Sequence, residues 1–272
     1  MARLRRVDEN VRRAHEAIAA QEYWYHCIEL APGVWTPGQR DTVAMLAQIG
    51  MPDDLTGMRV LDIGARDGFF TFEAERRGAR EVVALDNVPP HRTGFSTAAE
   101  VLGSGATFVT ENVYSLDPAT LGRFDLVLFL GVIYHLRHPL LALDRIYDVT
   151  EPGGLMLLET HMIDEGLVDA QGDFHRLADF HPALPDLPLA QYYPGTMLAN
   201  DLTSQWAPNR VALEGWLRAA GFDVVSSWQE GSRGGGTGRR RERGEANERA
   251  FDEAASWDMG TGTVERSTHL RN

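Results

Sequence analysis

The stretch at residues 60–70, VLDIGARDGFF, decides the fold. It begins as a short apolar run carrying one carboxylate, Asp62, as a buried strand does. Gly64 and Gly68 then punctuate a turn before aromatic residues open a helical pattern. A strand feeding a helix through such a turn is the unit from which parallel sheets are built. Downstream the unit repeats: EVVALD (81–86), ATFVTENV (106–113), FDLVLFLGV (124–132) and GLMLLET (154–160) read as strands. Between them FFTFEAERRG (69–78), FSTAAEVLG (95–103) and LLALDRIYDVT (140–150) read as helices. Nearly all-apolar strands alternating with helices predict an α/β fold, a doubly wound and mostly parallel sheet covered on both faces.

Outward from this core, residues 3–22 place Leu4, Val7, Val11, Ala14 and Ile18 at helical spacing, and a second short helix is expected at 41–50. The aromatic segment between them, YWYHCIELAPGVWTPGQRD (23–41), reads as strand and turn. Residues 1–50 are thus an N-terminal helical extension with an aromatic cap, in which Tyr23, Trp24, Tyr25 and His26 either staple the helix or fold over a site. The core is expected at 51–230, interrupted at about 161–208 by a segment rich in His, Pro, Tyr and Asp. That segment is too long for a simple connection and reads as a lid or substrate wall. NRVALEGWLRAAGFDVV (209–225) restores helix and strand. Residues 231–272 read as a low-complexity flexible tail, with the arginine-rich part at 231–249 as solvated disorder.

Acidic residues outnumber basic ones by 39 to 26, a net charge of -13, which is a poor electrostatic start for binding polyanions. Every basic residue is arginine, so lysine chemistry is excluded. The one cysteine, Cys27, leaves no internal disulfide, and the expected setting is a reducing cytoplasm. No apolar run is long enough to predict a membrane span or an export signal.

In a doubly wound sheet, ligands bind beyond the carboxyl ends of the strands. The first loop lacks the third glycine of a dinucleotide fingerprint, and it carries Asp62 and Asp67, charges that repel a pyrophosphate. They suit a cationic ligand, such as the ammonium and sulfonium of S-adenosylmethionine. Asp86 ends the second strand, where a carboxylate accepts ribose hydroxyls. Asn112 and the Val113–Tyr114 backbone end the third, where an adenine edge would lie.

These residues resemble the class I S-adenosylmethionine-dependent methyltransferases with their Rossmann-like fold, whose first motif has Asp-x-Gly-x-Gly-x-Gly form. Asp62, Gly64 and Gly68 match it, and Arg66 replaces the middle glycine. Within that class LTGMRVLDIGARDG, ALDNV, FLGVIYHLRHPLLAL and NRVALEGWLRAAGF are similar to the tRNA wobble hydroxyuridine carboxymethyltransferase-like family. The resemblance implies cofactor contacts at Gly64, Asp86, Asn87, Val88, Val113, Tyr114, Leu130 and Tyr134. It also implies lysines that recognise a carboxylated cofactor, and this chain has none, so ordinary S-adenosylmethionine and plain methyl transfer are expected.

Methyl transfer aligns a nucleophile with the sulfonium and often removes its proton. His135, after the fourth strand, is the first candidate base, with His161 as an alternative and Tyr134 packing on the cofactor or acceptor. His138 and Arg137 precede Pro139 and read as the exposed shoulder of a helix. Histidines 135, 138, 161, 175 and 181 with Glu159 lack compact ligand spacing, so no metal is expected. Tyr192, Tyr193 and Trp206 are candidates for an aromatic acceptor pocket. The expected function is O-methylation of a small molecule such as a secondary metabolite or sugar. The rival readings are tRNA wobble-uridine methylation, which would need the arginine-rich tail for phosphate contacts, a dinucleotide oxidoreductase and a non-catalytic cofactor-binding protein.

Overall fold

A computed structural model describes residues 2–39 and 41–242. The chain opens with α1 (Ala2–Ala20), the hairpin β1 (Glu29–Ala31) and β2 (Val34–Trp35), and α2 (Thr42–Gln48), whose first turn is capped by Asp41 through the Ala44 N–H at 2.9 Å. The alternating core follows: β3 (Arg59–Ile63), α3 (Phe69–Arg76), β4 (Glu81–Asp86), α4 (Phe95–Leu102), β5 (Thr107–Thr110), the single turn α5 (Pro118–Leu121), β6 (Phe124–Leu130), α6 (Pro139–Val149) and β7 (Thr150–His161). The insert contributes a small hairpin, β8 (Gly166–Val168) with β9 (Phe174–Arg176), the turn α7 (Leu177–Phe180), and β10 (Ala190–Tyr192) paired with β11 (Trp206–Pro208). It packs on its own small apolar centre of Ile163, Leu177, Tyr193 and Ala207. Asn209 caps α8 (Arg210–Ala219), and β12 (Phe222–Glu230) and β13 (Arg233–Arg240) close the described chain.

The seven-stranded sheet runs β5-β4-β3-β6-β7-β13-β12. The five strands β3 to β7 are parallel, and β13 lies antiparallel between β7 and β12. This is the doubly wound sheet the alternating pattern predicts. Successive strand residues point to opposite faces. Val60, Leu126 and Leu128 therefore pack under α3, α4 and the N-terminal segment, and Leu61, Val127 and Phe129 pack under α6 and α8. Both faces are covered, which is why the strands read as continuous apolar runs.

The expected boundary at residue 230 is wrong, because one compact unit extends to Arg241. RGGGTGRR is not a solvated tail but an interior strand. Gly234, Gly235, Gly236 and Gly238 are buried. A Cβ at Gly235 would overlap the Leu158 carbonyl, and one at Gly238 would press on Phe222. The strand exists because its backbone is bare enough to pass between two neighbours. Its arginines make contacts within the chain: Arg239, although exposed, donates to the Gly153 carbonyl at 3.1 Å, and Arg240 sits over the Tyr147 ring at 4.4 Å. The remainder of the expected tail, 243–272, lies outside the described residues.

Candidate active site

The carboxyl ends of β3, β4, β6 and β7, together with the turns that follow β5 and β6, open into one cavity of about 930 Å³. Loop β3–α3 is its floor. Gly64 adopts φ +77°, and a Cβ there would run into the Val132 side chain, so glycine alone lets this loop pass beneath the turn after β6. Arg66, which replaces the middle glycine of the motif, also takes a left-handed conformation, φ +52°. Its backbone N–H donates to Asp86 at 3.0 Å, and its guanidinium lies 6.0 Å from the Tyr25 ring.

The two acidic residues of the loop have separate roles. Asp62 is 2% exposed and lines the cavity, and it accepts the Thr71 hydroxyl at 2.6 Å. Burial pushes its carboxyl up to about 7, the nearby Asp86 adds to the shift, and the Thr71 hydrogen bond opposes it. Asp67 does not line the cavity. It accepts the backbone N–H groups of Tyr25 at 2.6 Å, His26 at 3.0 Å and Gly94 at 2.9 Å. Its charge is therefore directed at the N-terminal segment and not at a ligand, contrary to the expectation that it faces the cofactor.

At the end of β4, Asp86 accepts the N–H of Arg66 on one oxygen and that of Val88 on the other, at 3.0 and 2.9 Å. These bonds hold the carboxylate still, and each oxygen keeps a lone pair for a ribose hydroxyl. Asn87, Asn112, Val113, Tyr114, Leu130 and Tyr134 line the same cavity. Asn112 turns its side-chain oxygen to the Tyr114 N–H at 3.0 Å, so its amide group remains for a ligand. Two of the expected contact residues do not line this cavity. Gly68 caps α3 against the Phe72 and Phe95 rings, and Val88 also lies off the cavity lining.

The polar rings after β6 gather at the cavity. Tyr134 is buried, its ring 4.1 Å from that of His135 and 4.5 Å from that of His161, which meets it edge-on. All three line the cavity. The His135 ring bonds Thr203 Oγ1 through Nδ1 at 2.9 Å, and burial lowers its pKa, with Arg233 pushing the same way and Thr203 and Asp201 opposing. His138 is exposed and donates only its backbone N–H, to the Tyr114 hydroxyl at 2.9 Å. His175 pairs with Asp169 in the insert at 2.7 Å, away from the cavity.

Several lining residues were not singled out from the sequence. Arg233, at the start of β13, donates through Nε to the buried Glu159 at 2.6 Å and stands 5.1 Å from the Tyr134 ring. Thr42 and Met45 of α2 join Tyr23, Tyr25 and His26, so the aromatic cap does fold over the site, while Trp24 is packed inward against Gly94. From the insert come Asp201, Thr203 and Gln205, the last donating its N–H to the Tyr134 carbonyl at 2.7 Å. Tyr192 and Trp206 meet at a tilt of 60° with ring centroids 5.2 Å apart, and neither lines this cavity; Tyr192 borders a separate cavity of about 450 Å³ in the insert, and Tyr193 is buried in the insert's own centre. Among the described residues no helix is long and apolar enough to cross a membrane.

This geometry agrees with the comparisons to known proteins. The tRNA U34 carboxymethyltransferase of Desulforapulum autotrophicum is 29% identical over 63% of this chain and 46% of its own. That of Ectopseudomonas mendocina is 30% identical over 63% of this chain and 47% of its own. The chain therefore spans about half the length of these curated relatives. Among solved structures, the N-terminal domain of EvdMO1 with SAH bound superposes with a TM-score of 0.55 at 23% identity, covering 87% of this chain and 97% of that one. An O-methyltransferase family protein from Burkholderia thailandensis gives 0.54 at 17% identity over 75% of this chain and 57% of its own. At these identities the likeness is one of fold. The Methyltransferase domain profile matches residues 39–227, from before the first core strand to β12. On that match, with the strand-end residues in place, the chain belongs to the Methyltransferase domain family of S-adenosylmethionine-dependent methyltransferases.

Proposed function

We propose that the protein methylates an oxygen of a small organic molecule, with His135 taking the acceptor's proton. The observation that carries this reading is the cavity itself. It brings the strand ends that would hold the cofactor and His135 together beneath the aromatic cap and the insert, and a volume of about 930 Å³ suits a cofactor and a small acceptor. The donor set fits S-adenosylmethionine: Asp86 for the ribose, Asn112 and Val113 for the adenine edge, and Asp62 beside Gly64 for the cationic end. When bound, the cofactor supplies an electrophilic methyl group. The protein's own residues exclude water with Tyr25 and Tyr134, orient the acceptor, and hold its proton at His135. His161, packed on Tyr134, is the alternative base.

A second reading is transfer to a tRNA uridine, as the names of the curated relatives say of those proteins. Arg233 favours it, because a cation beside Tyr134 would suit a carboxylated transfer group. Glu159 opposes it by pairing with that same guanidinium. Arg240 of β13 is engaged with Tyr147 and the Thr150 carbonyl, and the net charge of -13 works against a polyanion. Incubation with methyl-labelled S-adenosylmethionine and a cell extract, followed by counting RNA and small molecules separately, tests the choice. Label in the small-molecule fraction is expected, and label confined to RNA overturns the reading.

A further inference from the structure

The insert meets the turn after β6 through a short chain of polar groups. Thr203 Oγ1 stands 2.9 Å from His135 Nδ1 and 2.7 Å from an oxygen of Asp201. The same Asp201 oxygen accepts the Thr203 backbone N–H at 2.8 Å, which fixes the hydroxyl beside the ring. Gln205 N–H, bonded to the Tyr134 carbonyl at 2.7 Å, ties this piece of the insert to the residue next to His135.

A threonine hydroxyl has one proton. Asp201, its pKa lowered by its bonds from Thr203, is ionised and can only accept. The hydroxyl proton therefore goes to Asp201, and the oxygen must receive its second bond from the ring. His135 is then protonated at Nδ1 in its neutral form, and the lone pair is left on Nε2.

Resting on the reading of His135 as the base, we propose that Thr203 and Asp201 are positioning residues that fix the His135 tautomer, so that Nε2 accepts the proton of the acceptor hydroxyl. In the step, the acceptor O–H proton passes to Nε2 and the oxygen's electron pair forms the bond to the methyl carbon. The carbon–sulfur pair returns to sulfur, leaving a neutral thioether and an imidazolium whose positive charge faces Asp201 through Thr203. The charged and titratable groups around the ring are Asp201 from the insert, Arg233 from β13 and Tyr134 beside it.

The test needs no acceptor. Nitrogen-15 NMR of histidine-labelled full-length protein, with S-adenosylmethionine added, reads which ring nitrogen of His135 carries the proton; His135→Gln assigns the signal. The wild type is expected to show the Nδ1–H tautomer. Thr203→Val is expected to lose that preference, Thr203→Ser to restore it, and Asp201→Asn to move the His135 titration to lower pH by removing the facing charge. A wild-type signal with the proton on Nε2, or a Thr203→Val spectrum identical to wild type, overturns the proposal. If the tautomer is as stated but His135→Gln still transfers label from S-adenosylmethionine to the small-molecule fraction, the base assignment fails and the proposed role of the chain in catalysis falls with it. The hydrogen-bond pattern itself would stand.

Discussion

The carboxylate of Asp67 accepts the backbone N–H of Tyr25 at 2.6 Å, joining the cofactor loop to a segment 42 residues upstream. The same side chain, 1% exposed, also holds the N–H groups of His26 and Gly94. One residue thus fastens the aromatic cap and the start of α4 to the floor of the cavity. Asp67→Ala leaves three backbone donors short of an acceptor, and a buried donor so left costs about 1–3 kcal/mol. A fall in Tm of roughly 5 °C or more is expected in thermal unfolding. Protease cleavage near residues 23–26 should appear in the variant and not in the wild type. An unchanged Tm would mean that the cap is held by its apolar contacts alone.

Asp86 is the strongest single test of the cofactor assignment. Its two oxygens are fixed by the Arg66 and Val88 amides, so a ribose would meet a carboxylate already in place. Hydrogen bonds to a charged group contribute about 1.5–3 kcal/mol, so Asp86→Ala is expected to weaken S-adenosylmethionine binding about 10- to 100-fold by calorimetry. Asp201→Asn, at the acceptor side, should leave that affinity unchanged.

Asp62 should make cofactor affinity depend on pH near neutrality. Its carboxyl is raised to about 7 by burial, and a cationic ligand prefers the ionised form. Affinity is then expected to fall as pH drops below about 7, and the dependence should vanish in Asp62→Asn. Stability of the ligand-free protein runs the other way. A carboxyl whose folded pKa lies above its unfolded one contributes most when protonated, below the unfolded value. That contribution is lost as pH rises from about 4 to about 7, at about 1.4 kcal/mol per pH unit. Asp62→Asn keeps an oxygen for the Thr71 hydroxyl and should therefore be more stable than wild type at pH 8 while binding the cofactor less well. A pH-independent wild-type affinity between pH 6 and 8 would remove Asp62 from the binding site.

The parts of this protein that were legible in its sequence are those where side chains carry the signal. The apolar strands β3, β4, β6 and β7 announced themselves because they are buried on both faces. Asp86, Asn112 and Tyr134 lie at or just after the ends of β4, β5 and β6, where this fold binds ligands. Asp67 was read as facing the cofactor because chain order places it beside Asp62, yet it turns to amides that sequence distance conceals. Thr203 and Asp201 sit in an insert without periodicity, and nothing local marks them as neighbours of His135. Tyr192 and Trp206 show the opposite: aromatic composition suggests a place at the main cavity, but the two rings meet each other within the insert, away from it.

The largest misreading, β13, supplies its own test. Glycine is depleted in strands because it packs nothing and gives up the most backbone entropy, so GGGTG reads as linker on propensity alone. Here the absence of side chains is the requirement. Gly235 passes the Leu158 carbonyl with no room for a Cβ, and the Trp228 ring nitrogen lies close to the same point. Gly235→Ala must therefore push β13 away from β7 or bend it. Arg233 pairs with His161 in the strand register and reaches Glu159, so the displacement would carry the guanidinium away from its buried carboxylate. A stability loss of about 3–5 kcal/mol, the cost of breaking a buried ion pair, is the upper expectation. Gly215, where a Cβ meets nothing within 4 Å, is the control, and Gly215→Ala should be neutral or slightly stabilising in the same denaturant titration. If Gly235→Ala unfolds at the wild-type midpoint, the strand is not inserted between β7 and β12, and the placement of Arg233 in the cavity goes with it.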